Sequence, residues 1–273
     1  MNGGKRRHNT ARGSRGYTII EVMIVLAVSG VMFLIASSFV SGKQGRTAFT
    51  EGVNELASTI QDTIEGVTNG QYTDIKVNCN FNGTTTSITA IGASGQGTNS
   101  KCVFLGKVLH FAEDDTHGDT PSQQYEVLSL AGGRVGLNNK PITDLVSAKP
   151  AVIPSLTAQA TIPQRLNVTN VKVNNGAVIS YGVALLQGLG TAETTGDVAN
   201  GTQNVGLWYV EDLSDNKDTA TATGIIAGGA KLKPAQRIDI CISDGSRYAT
   251  ITLGANGNQL GVNVAMHGEA NIC

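Results

Sequence analysis

The sequence predicts an α+β protein in which one long N-terminal α-helix packs on a C-terminal antiparallel β-sheet domain. Residues 22–41 form an uncharged apolar run, and residues 49–67 carry an apolar stripe at helical spacing. Beyond residue 70, short β-rich segments alternate with clusters of Gly, Asn and Asp. Only 15% of the residues are charged and 34 are glycine, which is typical of a loop-rich β domain.

The uncharged run at residues 22–41 is long enough to cross a membrane. Twenty residues at about 1.5 Å each make a helix of ~30 Å, the thickness of the hydrocarbon core of a bilayer. Five basic residues and no acidic residue precede it: Lys5, Arg6, Arg7, Arg12 and Arg15. By the positive-inside rule this basic end stays in the cytoplasm, so we expect the rest of the chain to be exported.

A single carboxylate, Glu21, stands at the head of the run. A charge at the edge of an apolar span is costly unless it is paired, so Glu21 is expected to have a function and a cationic partner. An ordinary signal peptide or membrane anchor, with a cleavage site near residues 36–38, would account for the basic residues and the run. It would not account for Glu21.

The segment GYTIIEV, residues 16–22, resembles the prepilin motif of type IV pilins and type II secretion pseudopilins. The resemblance implies that a prepilin peptidase in the membrane cuts after Gly16 and N-methylates Tyr17, which stands where the family usually has phenylalanine. It also implies that Glu21 meets the terminal amine of Tyr17 in a neighbouring subunit and sets the register of a filament. The motif is specific because its charge, glycine, aromatic residue, acid and apolar run must all keep their spacing.

The resemblance divides the chain into three parts. Residues 1–16 form a basic leader that is cleaved, residues 17–69 a long helix, and residues 70–273 an extracytoplasmic β-rich domain. Within the helix, residues 17–41 would be membrane span and filament core, and residues 42–69 an amphipathic half. Loss of the leader leaves 15 basic and 21 acidic residues, a net charge of −6 in place of −1.

The amphipathic half is predicted from its periodicity. Its apolar residues recur at spacings of four and three, on one face of a helix. They are Phe49, Val53, Leu56, Ile60, Ile64 and Val67. We expect a continuous helix from Tyr17 to about Gly66, with this stripe buried against a β-sheet. Gly42, Gly45 and Gly52 would each weaken its middle by about 1 kcal/mol relative to alanine.

Ten strands are predicted after residue 70 from alternation and from their content of Val, Ile and Thr. They are residues 72–79, 86–91, 102–111, 124–130, 166–173, 177–186, 205–210, 237–243, 247–253 and 260–266. The proline-rich stretch 141–163 is expected to be an irregular connection. Residues 237–253 read as a hairpin with an Asp-Gly turn, similar to the closing hairpin of GspH/FimT-type minor pseudopilins.

Four cysteines lie beyond the apolar run, in the part expected to be exported. An oxidising compartment favours two disulfides, for which four cysteines allow three connectivities. We expect Cys79–Cys102 and Cys241–Cys273, since each joins a cysteine to its nearest partner within one half of the domain. Four free thiols are the alternative. A metal site is disfavoured because no C-x-x-C spacing is present.

The sequence contains no G-x-S-x-G, P-loop, H-E-x-x-H or dinucleotide-binding motif. We therefore expect a protein that is not an enzyme and has no cofactor, with an anchored hydrolase as the distant alternative. An acidic loop at residues 113–119 is a weak candidate for calcium through Asp114, Asp115 and Asp119, and a solvated loop is the commoner explanation. A second acidic group consists of Asp212, Asp215 and Asp218. It is likewise a weak calcium candidate, with a solvated loop as the commoner explanation.

The residues and the resemblance together predict a structural subunit, a minor pilin or pseudopilin, of a type IV pilus or a type II secretion pseudopilus. Its expected location is the bacterial inner membrane, single-pass with the C-terminal domain outside the cytoplasm, and then the filament. Its expected partners are other subunits, the prepilin peptidase, inner-membrane lipid and the secretion or pilus assembly platform. A major type IV pilin and a membrane-tethered adhesin are alternatives.

A DNA-uptake pilin of the FimT type is a further alternative. DNA would be bound by basic residues near the C-terminus, namely Lys231, Lys233, Arg237 and Arg247. Phosphate contacts need clustered cations with few acids nearby, and these residues lie among Asp239, Asp244 and Glu269. DNA is therefore a weak expectation, and a solvated strand face is the simpler interpretation.

Overall fold

The computed structural model describes residues 17–70, 77–90, 102–111, 123–136, 140–188, 205–213, 219–256 and 259–267. The chain forms two compact units, Met1–Thr47 and Ala48–Cys273, and the boundary between them falls within the N-terminal helix. A long helix followed by antiparallel sheets confirms the predicted α+β class.

Helix α1 spans Ile19–Thr68, within two residues of the predicted bounds at either end. It begins after Thr18, whose hydroxyl oxygen accepts a hydrogen bond from the backbone N–H of Glu21 at 3.3 Å, as an N-cap does. It ends before Gly70, which has a left-handed φ of +62° and donates its N–H to the carbonyl of Val67. The three glycines in its middle are accommodated without a break in the helix.

Fourteen strands lie in the described part of the chain beyond α1. They are β1 Val77–Phe81, β2 Thr86–Ala90, β3 Cys102–His110, β4 Gln124–Gly133, β5 Ala151–Val152, β6 Ala158–Thr161, β7 Asn167–Val173, β8 Val178–Ile179, β9 Gly182–Gln187, β10 Val205–Val210, β11 Leu232–Pro234, β12 Arg237–Ser243, β13 Tyr248–Asn256 and β14 Gln259–His267. Two short helices lie between strands, α2 Leu145–Ala148 and α3 Thr219–Ile226. Single 3₁₀ turns occupy Pro154–Leu156 and Pro163–Arg165.

These strands form one hairpin and two sheets, and all their pairings are antiparallel. Strands β1 and β2 make the hairpin. The seven-stranded central sheet has the order β11-β10-β9-β3-β4-β5, with β6 also paired to β4. The five-stranded C-terminal sheet has the order β14-β13-β12-β7-β8.

The first hydrophobic core brings the second half of α1 together with residues of both sheets. The predicted apolar stripe supplies the helix side, and each of its six residues is at most 4% exposed. The central sheet contributes Val183 and Leu185, and the C-terminal sheet contributes Ile240 and Ile251, all fully buried. Burial of each such side chain contributes about 1.5–3 kcal/mol. The predicted packing of the stripe on β-sheet is confirmed.

A second core covers the opposite face of the central sheet. Strand β9 shows the division, because Val183 and Leu185 belong to the first core while Ala184 and Leu186 belong to the second. Helix α3 adds Ile226 to the second core. Because both faces of β9 are buried, its sequence is apolar along nearly its whole length instead of alternating.

The prediction of one continuous strand at residues 177–186 is wrong. It divides into β8, in the C-terminal sheet, and β9, in the central sheet. The break lies at Ser180, whose buried hydroxyl donates to the carbonyl of Val210 at 2.7 Å and accepts from the N–H of Gly182. A side chain that satisfies two backbone groups allows the chain to leave one sheet and enter the other without an orphaned polar group.

The stretch 141–163, expected to be irregular, contains α2, β5, β6 and the first 3₁₀ turn. Helix α3 was not predicted. Its sequence, TATATGII, contains three β-branched threonines, which have low helix propensity. Burial of Ala222 and Ile226 in the second core is a tertiary contribution that no local pattern records.

Candidate functional site

The predicted processing site lies at the beginning of the described residues. Gly16 itself is outside them, whereas Tyr17 precedes the helix and its side chain is 82% exposed. Helix α1 begins two residues later, at Ile19. Tyr17 therefore stands in a non-helical segment directly before the apolar run.

Glu21 lies in the first turn of α1 and its side chain is exposed. Thr18 and Glu21 have the spacing of a capping box, and the bond from the Glu21 N–H to the Thr18 hydroxyl is one half of that motif. A carboxylate in the first turn is also favoured by the helix dipole, by about 0.3–1 kcal/mol. Among the described residues, Glu21 forms no salt bridge. Its predicted cationic partner is therefore not found within this part of the chain.

The apolar half of α1 is exposed from Ile19 to Ser37, where the structure describes its side chains. Residues Ile19–Ser37 are long enough and apolar enough to cross a membrane, and none of these residues is buried within the chain. Large apolar side chains such as Leu26, Met32 and Phe33 are 66–73% exposed. Apolar surface on this scale marks contact with lipid or with other proteins.

Residues 11–37 carry the prokaryotic N-terminal methylation motif. The match to this family begins within the basic leader, includes Tyr17 and Glu21, and ends with the apolar half of α1. No curated protein and no solved structure matches the chain. The methylation motif supports the resemblance to type IV pilins and pseudopilins, and it does not extend to the GspH/FimT-type hairpin.

The domain that follows the methylation motif holds the second half of α1 by polar contacts as well as by the core. The side chain of Gln187 donates a hydrogen bond to the carbonyl of Val67 in the last turn. The side chains of Tyr125 and Thr59 are hydrogen-bonded to each other. Partial burial raises the pKa of the Tyr125 hydroxyl. Both contacts join α1 to the central sheet, and sequence patterns had not singled out either residue.

Lys107 of β3 lies near the same end of α1. A Cβ atom at Gly66 would stand 3.9 Å from the Lys107 Nζ, so the ammonium group lies beside the last turns of the helix. Desolvation by partial burial lowers the pKa of Lys107. The last turn of α1 contains no basic residue, and a cation beside it is favoured by the helix dipole.

One of the two predicted disulfides is described. Cys79 is bonded to Cys102, so the hairpin β1–β2 is joined covalently to the start of β3. Cys241 on β12 is also disulfide-bonded. Cys273, its predicted partner, lies outside the described residues.

The predicted calcium residues give no metal site in the described part of the chain. Asp114, Asp115 and Asp119 lie outside it, as do Asp215 and Asp218. Asp212 forms a salt bridge with Lys231. Within the described ranges, no group of three or more His, Cys, Asp or Glu side chains could hold a metal ion.

A buried polar group that sequence analysis did not identify joins three elements. His110 of β3 is fully buried, and its Nδ1 lies 3.5 Å from Oε2 of Glu126 on β4. Thr219, at the start of α3, donates its hydroxyl to the same oxygen at 2.6 Å. A nucleophilic triad requires the imidazole to stand between the hydroxyl and the carboxylate. Here the carboxylate stands between the imidazole and the hydroxyl. The three groups therefore connect β3, β4 and α3 and do not have the geometry of a nucleophilic triad.

The C-terminal hairpin has the predicted strands and the predicted turn. Asp244 Oδ1 accepts from the N–H groups of Ser246 and Arg247 at 2.9 and 2.8 Å, and Gly245 has a φ of +90°. Although partial burial of the Asp244 carboxylate acts against it, these bonds lower its pKa. The Asp-Gly pair therefore forms the turn that its sequence predicts.

Most of the basic residues that were considered as DNA contacts form ion pairs with acidic side chains of the same chain. Arg237 donates to Asp239 at 2.9 Å, Arg247 lies 3.4 Å from Asp244, and Lys231 is paired with Glu211 and Asp212. A phosphate backbone would have to compete with these carboxylates for three of the four cations. The arrangement favours a surface of local ion pairs over a nucleic-acid interface.

Proposed function

We propose that the chain is a structural subunit, a minor pilin or pseudopilin, of a type IV pilus or a type II secretion pseudopilus. One observation carries the proposal: the methylation motif at residues 11–37 includes an apolar helical segment, Ile19–Ser37, in which no residue is buried within the chain. A subunit held first by lipid and later by the helices of its neighbours would bury this segment in both states.

Processing would take place at the exposed end of the helix. A prepilin peptidase would cut after Gly16 and methylate the new amine of Tyr17. The cut removes five basic residues and no acid, so it also removes the charges that hold the leader in the cytoplasm. Tyr17 is exposed and non-helical, which supports its access to an enzyme.

Glu21 would then supply the register of assembly. Its carboxylate lacks a salt bridge among the described residues, and the methylated amine of Tyr17 in a neighbouring subunit would be a matching cation. Two charges that are each costly in an apolar filament core offset each other when they meet. The capping contact with Thr18 would hold the helix end in place without neutralising the carboxylate.

The β domain would lie outside the cytoplasm and would face outward from the filament. The Cys79–Cys102 disulfide supports an oxidising compartment. The contacts of the candidate DNA-binding cations with acids favour a structural subunit over a FimT-type DNA receptor.

Mass spectrometry of the mature N-terminus tests the proposal. We expect Tyr17 as the first residue, carrying one methyl group. Gly16→Val should leave the leader attached, whereas Gly13→Val, three residues earlier in the same leader, should be processed normally. A mature N-terminus near Ser38 would show an ordinary signal peptide and would overturn the proposal.

A further inference from the structure

Four of the five large apolar side chains exposed in the described part of the β domain lie at the two edges of one sheet. Val264 and Met266, on edge strand β14 of the C-terminal sheet, are 38% and 43% exposed. Val178 and Ile179, on the opposite edge strand β8, are 36% and 42% exposed. The fifth, Val146, belongs to α2. The exposed apolar surface of the domain is therefore concentrated at these two edges.

Neither edge carries a charged residue or a proline, two of the features that protect an edge strand from further pairing. In the described part of the chain, β14 pairs with β13 alone and β8 with β7 alone. Residues 259–267 and 174–181 contain no Lys, Arg, Asp, Glu or Pro. Edge strands are usually made unsuitable for pairing by a charge, a proline or a bulge. These two edges thus present backbone N–H and C=O groups that a further strand could pair with.

The two edge strands also run in the same direction, and Val178 and Val264 lie on the same face of the sheet. Neighbouring strands alternate in direction across the five-stranded sheet, so β14 and β8 run the same way. One row of paired residues crosses the sheet: Val262, Leu253, Ile238, Val173 and Val178. Val178 therefore lies level with Val262 and on the same face, and Val264 is about 7 Å further along that face.

We propose that β14 of one copy pairs in parallel with β8 of the next copy, so that the C-terminal sheets of adjacent subunits join edge to edge. One molecule presents both halves of this contact, so a second copy is a sufficient partner. The contact would bring Val178 of one subunit beside Val264 of the other on a continuous apolar face. A β14–β14 contact would instead leave Val178 and Ile179 exposed.

The two surfaces differ, so the contact is heterologous, and with a rotation between copies that does not close into a ring it extends from copy to copy, as a filament requires. The inference rests on the proposed function for its supply of neighbouring copies. It adds a contact between β domains to the assembly through the N-terminal helix.

Site-specific photo-cross-linking of the full chain in its host cells tests this contact. A photoreactive amino acid at Met266 should give a dimer in which it is joined to the peptide 173–217, which trypsin releases between Lys172 and Lys217 of the second copy. The same amino acid at Val146, which is similarly exposed but lies on α2, should give no such product. Val178→Lys should abolish the Met266 product, while Val146→Lys should leave its yield unchanged.

The outcomes separate this inference from the proposed function. Filaments that contain the chain with methylated Tyr17, but give no product between Met266 and peptide 173–217, overturn the edge contact and leave the proposed function standing. A product that joins Met266 to β14 of the second copy also overturns it. If the predicted product forms in membranes while the chain is absent from filaments, the edge contact holds and the proposed function fails.

Discussion

The two halves of helix α1 contain the same kinds of apolar residue in very different surroundings. Leu26, in the first half, is 66% exposed, whereas Leu56, in the second half, is fully buried. The second half has a single apolar stripe, and the sheets of the same chain cover it. The first half is apolar on all sides, so one flat partner could not cover it. The chain thus completes the burial of one half itself and leaves the other half to lipid or to other subunits.

The largest expected effect concerns the one acid of the first half. Glu21→Gln should leave membrane insertion intact but remove the chain from filaments, because the amide cannot offset a neighbouring terminal amine. Fractionation of membranes and sheared filaments with an antibody to the β domain measures both. The matched control is Glu51→Gln, an exposed acid in the second half, which should assemble normally. Assembly of Glu21→Gln at the wild-type level would exclude Glu21 as the register residue.

Removal of one leucine from each half should affect different properties. Leu56→Ala opens a cavity in the first core, for which we expect a loss of about 2–5 kcal/mol in the unfolding free energy of the β domain. Leu26→Ala should leave this free energy unchanged, because Leu26 is 66% exposed and is not part of the first core. Denaturant unfolding of the full chain in detergent can follow Trp208, the only tryptophan, which packs against the second core. Equal losses from the two variants would contradict the division of the helix.

Glycines in the two halves offer a finer comparison. A Cβ atom at Gly52 would stand 2.9 Å from Cδ1 of Leu166 and 3.0 Å from Cβ of Gln164, so Gly52 allows the helix to approach the turn before β7. Gly52→Ala should therefore lower the melting temperature, since three contacts this close place the steric cost at about 2–3 kcal/mol, more than the ~1 kcal/mol gained in helix propensity. A Cβ atom at Gly30 would meet nothing within 4 Å beyond its own stretch of helix, so Gly30→Ala should not lower the melting temperature. A higher melting temperature for Gly52→Ala would show that the turn relaxes.

The smallest expected effect is the pH dependence introduced by Lys107. Burial lowers its pKa in the folded state, so the unfolded state binds more protons between that lowered pKa and the ordinary value of 10.5. Burial of the charged amine lowers the unfolding free energy. This loss is regained as the pH rises through this window and the amine releases its proton. Lys107→Met should raise the melting temperature at pH 7 and remove this gain at alkaline pH, which thermal unfolding across the window would measure. A less stable Lys107→Met protein at pH 7 would mean that the interaction with the helix end outweighs desolvation.

The helix and its stripe could be predicted because their pattern is local. Residues from Phe49 to Val67 repeat at helical spacing regardless of what they pack against, and the Asp244-Gly245 turn is similarly contained in a few residues. The capping spacing of Thr18 and Glu21 was also present in the sequence, although the acid was interpreted from its position in an apolar run. Local chemistry therefore accounts for both the methylation motif and the bounds of α1.

Features that depend on distant residues could not be predicted in this way. The separation of β8 from β9 depends on Ser180 meeting Val210, which is 30 residues away. The buried contact of His110 with Glu126 and Thr219 joins residues that no motif connects. Lys231 was considered as a weak candidate for DNA contact, whereas its pairing with Asp212 follows from the antiparallel pairing of β10 with β11. In each case a long-range partner decides the environment, and a single sequence does not name that partner.

The order of strands in the central sheet has a consequence for the timing of folding. Strand β3 is joined to the hairpin by the Cys79–Cys102 disulfide, and it pairs with β4 and with β9, which begins 80 residues after Cys102. Contacts of such separation form slowly, because a long loop must close before they contribute. The central sheet is therefore completed only after β9 and the strands beyond it, β10 and β11, have been synthesised. During that interval the apolar half of α1, which needs no partner strand to form, would already be available to lipid or to other subunits.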